Sequence, residues 1–357
     1  MVQLMAILNL TPDSFWAPSR VGEDALARID GFVAAGASII DLGAVSTRPG
    51  ASPVSARTEW RRLSPVLREL AKDGRSQSAT TRLGSGGDRE SHRFQISIDT
   101  TRASIVRKAF KLIGPFIVND ISAGEDDPEM LPTVAELGLP YIAMHKRGNP
   151  QTMNDSCDYP DGVMPELLRY FTAFAARASS LGIREWILDP GLGFAKTSAQ
   201  CWEILERLEE LQVFGHPILI GAADKRFTRD IPPHILEWYH AEGRRIDVAR
   251  SCFDKIINED CQKAVTEDCN RKNLDNSCLN EATDGNCAKF LTENCQKIAA
   301  DDCSRKILDN SCLKEATDDN CAKFLTEYCQ NNVDGTAIAN ALAVAHGASI
   351  LRVHQLP

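Results

Sequence analysis

Short apolar-rich runs of three to five residues recur along the chain at Leu4–Leu8, Ser38–Leu42, Gln95–Ile98, Phe116–Val118, Tyr141–Met144, Glu185–Leu188, Pro217–Ile220 and Ser349–Val353. Each has the length of a strand. Helical patterns fill the intervals near 23–35, 54–71, 102–112, 128–137, 164–181, 198–212 and 336–346. Strand and helix alternating in this way is the pattern of repeated βα units, which place their strands in a parallel sheet. Eight such strands predict an α/β fold, a closed (β/α)8 TIM barrel, with an open doubly wound sheet as the alternative.

Polar residues gather where the strands stop. Asn9, Asp41, Asp99, Asn119, His145, Asp189, Lys225, and the pair Arg352 and His354 fall at or just past the predicted C-terminal edges. In a parallel barrel those edges surround one mouth, where the βα loops build the active site. The stretch Ile39–Ala51 shows the pattern most clearly. An apolar run ends in Asp41, passes Gly43 and opens into a loop with Ser46, Thr47 and Arg48. Pro49 fixes φ, Gly50 relaxes it, and Ser52-Pro53 signals a following helix. Arg48 offers a planar fork of donors suited to a phosphate.

Two segments break the alternation. Residues 74–93, rich in Gly, Ser, Thr and charge, read as a flexible loop on the face opposite the mouth. Residues 230–333 enter after the seventh strand and hold a 34-residue repeat, in which 269–296 and 303–330 agree at 23 of 28 positions. Ten of the chain's 12 cysteines lie in 252–329, spaced by 8 or 9 residues, without the close C-x2-C pairs of zinc sites. This insertion is expected to be helical and Cys-rich. It reads as a mobile acidic insert, a partner-binding or dimer-extending lobe, or a metal-binding segment. The barrel is accordingly assigned to 1–229 and 334–357 and the insertion to 230–333. Only Gln355, Leu356 and Pro357 follow His354, so a full eighth outer helix has no residues here.

Composition narrows the class. Hydrophobic content of 43% and charged content of 25% over 357 residues are those of a globular protein with a sizeable core. A net charge of -9, with no basic face, argues against a nucleic-acid partner. No apolar run reaches the roughly 18 residues of a membrane span, and residues 1–10 do not resemble a secretory signal. The expected compartment is the cytoplasm.

Met5-Ala6-Ile7-Leu8-Asn9-Leu10-Thr11-Pro12-Asp13-Ser14-Phe15 and Ser46-Thr47-Arg48-Pro49-Gly50-Ala51 resemble the two opening signatures of the dihydropteroate synthases. Ile98-Asp99-Thr100, Ile117-Val118-Asn119-Asp120-Ile121, Met144-His145, Leu188-Asp189-Pro190-Gly191-Leu192-Gly193-Phe194 and Arg352-Val353-His354 follow in that family's order. The resemblance implies a pterin-binding barrel that joins 6-hydroxymethyl-7,8-dihydropterin pyrophosphate to p-aminobenzoate and releases pyrophosphate. It implies pterin contacts at Asp99, Asn119, Met144, Asp189 and Lys225. Diphosphate contacts fall to Asn9, Thr47, Arg48, Arg352 and His354, with Mg2+ at Asn9, and the p-aminobenzoate pocket to Thr47, Pro49 and Phe194. It also implies a homodimer and a sulfonamide target.

The chain departs from the family at Ala223-Asp224, where Ser-Arg normally precedes the lysine, and at Gln355, normally Asp. Two other readings therefore stay open. One is a catalytically impaired barrel serving as scaffold for a Cys-rich interaction lobe. The other is a methyltetrahydrofolate-dependent methyltransferase, against which the diphosphate set argues.

Overall fold

The computed structural model describes residues 2–10, 21–45, 54–73, 76–77, 94–148, 156–223, 225–242 and 335–353. All belong to one compact unit formed by Met1–Phe253 and Gly335–Pro357. The repeat and its ten cysteines lie outside the described residues, as does most of 74–93.

The strands are β1 (Gln3–Asn9), β2 (Ile39–Gly43), β3 (Ser76–Gln77), β4 (Phe94–Asp99), β5 (Ile117–Asp120), β6 (Tyr141–Met144), β7 (Trp186–Asp189), β8 (Leu219–Ile220) and β9 (Ile350–Val353). Every pairing is parallel, in the order β7-β6-β5-β4-β2-β1-β9-β8, with β3 beside β4. The remaining seam, between β7 and β8, is bridged at Leu188 and Ile218, where Leu188 N–H donates to Pro217 O at 2.9 Å. Eight strands thus form the nearly closed ring that the sequence pattern predicts. Only the two-residue β3 is additional; it falls within the stretch read as a flexible loop.

The helices are α1 (Val21–Ala34), α2 (Ala56–Asp73), α3 (Ala103–Ile113), α4 (Met130–Leu137), α5 (Val163–Leu181), α6 (Ser198–Glu206), α7 (Pro233–Ala241) and α8 (Gly335–Ala345). α6 starts on a capping box, Thr197 with Gln200, which satisfies two of the orphan donors at its first turn. It ends earlier than the predicted 198–212: Leu208–Phe214 tightens into a 3-10 helix that stops at Gly215, whose φ is 68°. α7 is a helix that the periodicity did not reveal. It lies inside the stretch assigned to the insertion, starts on Pro233, and has contacts with α8.

Strand geometry sets the interior. Met5, Ile39, Ile117, Ile142, Ile187, Leu219 and Ile350 form one buried apolar cluster, contributed by seven strands. Side chains two positions apart share a strand face. One step further along the same faces come Asp41, Asn119, Met144, Asp189, Gly221 and Arg352. The interior is therefore apolar at one level, and at the next, toward the strand C-termini, four polar side chains, Asp41, Asn119, Asp189 and Arg352, stand beside the apolar Ile7 and Met144.

Candidate active site

Asp41 is the hub of the polar level. It is fully buried, and its Oδ2 accepts from Arg352 Nε at 2.8 Å, Arg352 Nη2 at 2.6 Å and Asn119 Nδ2 at 3.1 Å. Its Oδ1 accepts from Ser97 Oγ at 2.7 Å. Arg352 Nη2 also reaches Asp99 Oδ2 at 3.2 Å. Four strands (β2, β4, β5 and β9) are thereby tied together at one carboxylate. Burial pushes the Asp99 carboxyl up to about 7, against the opposing pull of the Arg352 guanidinium. The strand period separates Asn119, which faces this network, from its neighbour Asp120, which faces away. Asp120 accepts from Ser122, Gly124 and the Tyr141 hydroxyl and holds the βα turn.

Across the mouth stands Asp189, at the end of β7. Its Oδ1 accepts from Gly191 N–H at 2.8 Å, and burial raises its pKa while the nearby Lys225 lowers it. Lys225 donates to Leu192 O and lies 5.0 Å from the centroid of the Phe194 ring. Burial brings the Lys225 amine down to about 8, although Asp189 favours its charge. A Cβ on Gly193 would meet Lys225 Cδ at 3.5 Å and one on Gly221 its Nζ at 3.9 Å, ordinary contact distances that place the lysine against both backbone positions.

The entrance to β2's loop is anchored from below. Buried Glu59 on α2 accepts from Thr100 Oγ1 at 2.5 Å and pairs with Arg102, which also donates to Val54 O at 2.6 Å. The residue after Asp99 is thus bound to the helix that follows the Thr47–Arg48 segment.

Of the residues expected at the site, Asp99, Asn119, Met144, Asp189, Lys225, Phe194, Arg352 and Asn9 all lie at the C-terminal mouth. Lys225 sits beyond the end of β8, in the turn before the 3-10 helix Arg226–Arg229. Arg226 is exposed and, among the described residues, makes no hydrogen bond or ion pair. Thr47, Arg48, Pro49 and His354, together with Asp224, lie outside the described residues. Asp41 was visible in the sequence only as one polar strand end among eight. Its role emerges from partners 78 and 311 positions away.

Among the described residues no group of three or more His, Cys, Asp or Glu is placed to hold a metal ion. Asn9 ends β1 with Oδ1 3.5 Å from where a Gly43 Cβ would stand, and Asp99 Oδ2 is 3.9 Å from the same point. A single amide oxygen at the rim fits a magnesium ion that takes most of its ligands from substrate phosphate and water.

The profile of the pterin binding enzymes matches residues 5–253. The chain belongs to the pterin binding enzyme family. It is 40% identical over 235 residues to the dihydropteroate synthase of Synechocystis, covering 64% of this chain and 73% of that protein. With the Escherichia coli dihydropteroate synthase it shares 37% over 228 residues, 62% of this chain and 73% of that one. Among solved structures, the Yersinia pestis dihydropteroate synthase with a sulfonamide drug aligns at TM-score 0.55 and 31% identity, over 70% of this chain and 83% of that chain. The Thermus thermophilus enzyme in complex with 4-aminobenzoate aligns at TM-score 0.57 and 26% identity, over 99% and 89%. No helix of the described residues is long and apolar enough to cross a membrane.

Proposed function

We propose that the barrel mouth condenses 6-hydroxymethyl-7,8-dihydropterin pyrophosphate with p-aminobenzoate, giving 7,8-dihydropteroate and pyrophosphate. The chain is a transferase of folate biosynthesis, a dihydropteroate synthase. One observation carries this reading: a pterin-family barrel whose inward polar layer joins Asp41, Asp99, Asn119 and Arg352 in a single network, with Asp189 and Lys225 on the β7–β8 side.

The pterin edge presents N–H donors beside a carbonyl. Asp99, Asp189 and the Asn119 amide complement that edge, Lys225 donates to the carbonyl or a ring nitrogen, and Met144 packs on the ring face. A site built to hydrogen-bond such an edge discriminates strongly against rings that lack it, because its buried polar groups would be left unpaired. At the other end, Arg48, Arg352, His354, Thr47 and Asn9 take the diphosphate. Arg352 engages its two carboxylates through Nε and Nη2; among the described residues its Nη1 makes no hydrogen bond, so it is available to substrate. Asn9, together with phosphate oxygens of the substrate, would hold a magnesium ion, which would supply positive charge at the leaving group. The bond between the methylene carbon and the phosphate oxygen breaks, and the electron pair leaves with pyrophosphate. The arylamine nitrogen then bonds to the methylene and loses its proton to solvent. Fixed donors aimed at the departing charge supply the acceleration, and no protein nucleophile is needed. Thr47, Pro49 and Phe194 flank p-aminobenzoate. This reading brings with it a cytoplasmic enzyme and a homodimer, with the Cys-rich repeat of 252–330 taking no part in the chemistry.

The test is incubation of the purified full chain with the pterin pyrophosphate, p-aminobenzoate and magnesium. Dihydropteroate and pyrophosphate should appear in equal amounts. Pterin binding without pyrophosphate release would overturn the reading and favour a barrel kept as a scaffold.

A further inference from the structure

Behind the Lys225 turn lies a second buried amine that the proposed chemistry does not use. Lys196 is only 7% exposed, and its Nζ contacts three acceptors: His145 Nδ1 at 2.9 Å, Phe194 O at 3.0 Å and His145 O at 3.5 Å. An ammonium has three N–H donors, so this tripod uses all of them. His145 directly follows the last residue of β6, and Phe194 belongs to the turn after β7. The amine therefore ties two strand ends together at the mouth.

The turn it holds is forced. Gly191, Gly193 and Ala195 have φ of 67°, 79° and 51°, and a left-handed alanine persists only where its surroundings over-determine it. A Cβ on Gly191 would stand 2.1 Å from His145 O, so the turn is pressed against the end of β6. Three of its carbonyls are claimed from outside: Leu192 O by Lys225, Phe194 O by Lys196, and Ala195 O by the Tyr159 hydroxyl at 2.8 Å, while Gly191 O accepts from Phe194 N–H within the turn at 3.0 Å. Gly193 N–H donates to Cys201 Sγ at 3.3 Å.

We infer that Lys196 is a positioning residue for the second substrate: its three-point contact locks the Gly191–Ala195 turn onto β6 and so sets the Phe194 ring and the Lys225 amine that lies over it. This rests on the synthase reading, because Phe194 lines p-aminobenzoate there. Lys196 does not touch substrate; it acts through Phe194.

Protonation makes the contact adjustable. The groups acting on Lys196 are Cys201, Asp189 and Cys157, which favour its charge, and Lys225, which opposes it; the bonded His145 is held neutral near 2 by burial and by Lys196 itself. Burial dominates and brings Lys196 down to about 7. Above that pH the amine keeps two donors for three acceptors, and the turn loses one anchor. Lys225 deprotonates near 8 on the pterin side, so its effect is read in the KM for the pterin.

The test is the KM for p-aminobenzoate from pH 6 to 9 in the wild type, Lys196→Arg and Lys196→Met. In the wild type it should rise about three- to tenfold across pH 7, the range expected for one lost hydrogen bond. Lys196→Arg, permanently charged, should remove that rise. Lys196→Met should have a high KM at every pH, with a smaller change in kcat. Amide exchange at Gly193 and Phe194 should quicken about tenfold or more in Lys196→Met but little in Lys196→Arg. A wild-type pH break that persists in Lys196→Arg overturns the inference, and that variant decides alone if the methionine protein does not fold. A wild type without turnover removes the synthase reading instead, and unchanged amide exchange in Lys196→Met then still overturns the positioning role.

Discussion

On the β2–β4 side of the mouth Arg352, reaching over from β9, meets two carboxylates, Asp41 and Asp99; on the β7–β8 side Lys225 and Lys196, among the described residues, reach backbone carbonyls and an imidazole. The guanidinium is always charged, and a fixed fork of donors suits it to a permanent anion such as a diphosphate. The amines are compact charges whose protonation burial has brought near neutrality. The guanidinium keeps its charge while its partner Asp99 titrates near 7, and on the other side it is the amines themselves that titrate near neutrality. In the proposed function the diphosphate keeps its charge while the ring and the arylamine need directed hydrogen bonds; Asp99 and Asn119, given to the ring, share the network of Arg352, given to the diphosphate.

The largest effect on turnover should come from the ring-binding side. Asp189→Asn keeps the shape but offers a donor where an acceptor is needed, and kcat/KM should fall about 100- to 1000-fold in steady-state assays. Next is the hub on the arginine side. Asp41→Asn leaves Arg352 without its main counter-charge, and removal of one partner from a buried pair costs about 3–5 kcal/mol. Denaturant unfolding should show that loss. A change under about 1 kcal/mol would mean that Arg352 is not held as described.

The two sides should also differ in their pH response. The Asp99 carboxyl is raised from 3.8 to about 7, so the folded chain holds the extra proton between those values and stability falls as pH rises through that window. Lys196 and Lys225 are lowered from 10.5 to about 7 and 8, so above neutrality the unfolded chain holds more protons and stability rises with pH up to about 10.5. Unfolding free energies from pH 4 to 10 should show the rise flattened in Lys225→Met and the fall flattened in Asp99→Asn. A profile identical to wild type in both would show the shifts to be misassigned. The smallest effect is expected from deletion of 252–330, which should leave kcat/KM little changed if the lobe stands apart from the chemistry.

The sequence made the barrel legible because each strand is a compact local signal. All eight barrel strands lie within two residues of where the apolar runs place them. The polar strand ends were legible for the same reason, since they fall at or just past the C-terminal edges of those runs. The connections among them were not. Asp41 meets Arg352 across 311 positions, and Lys196 meets His145 across 51, distances at which periodicity carries no information. Lys196 sits one turn past a strand end, in a stretch where a lysine reads as an ordinary solvated residue. α7 was hidden for another reason: its nine residues directly precede a long polar stretch whose composition dominates the window.

The division of the mouth is tested most directly by binding two unreactive probes, inorganic pyrophosphate and a free pterin, to wild type, Arg48→Ala and Asp189→Asn. Asp189→Asn should weaken the pterin about tenfold or more and leave pyrophosphate nearly unchanged, and Arg48→Ala should do the reverse, each loss matching a charge-assisted hydrogen bond. Equal losses of both probes in both variants would contradict a mouth divided between ring and diphosphate.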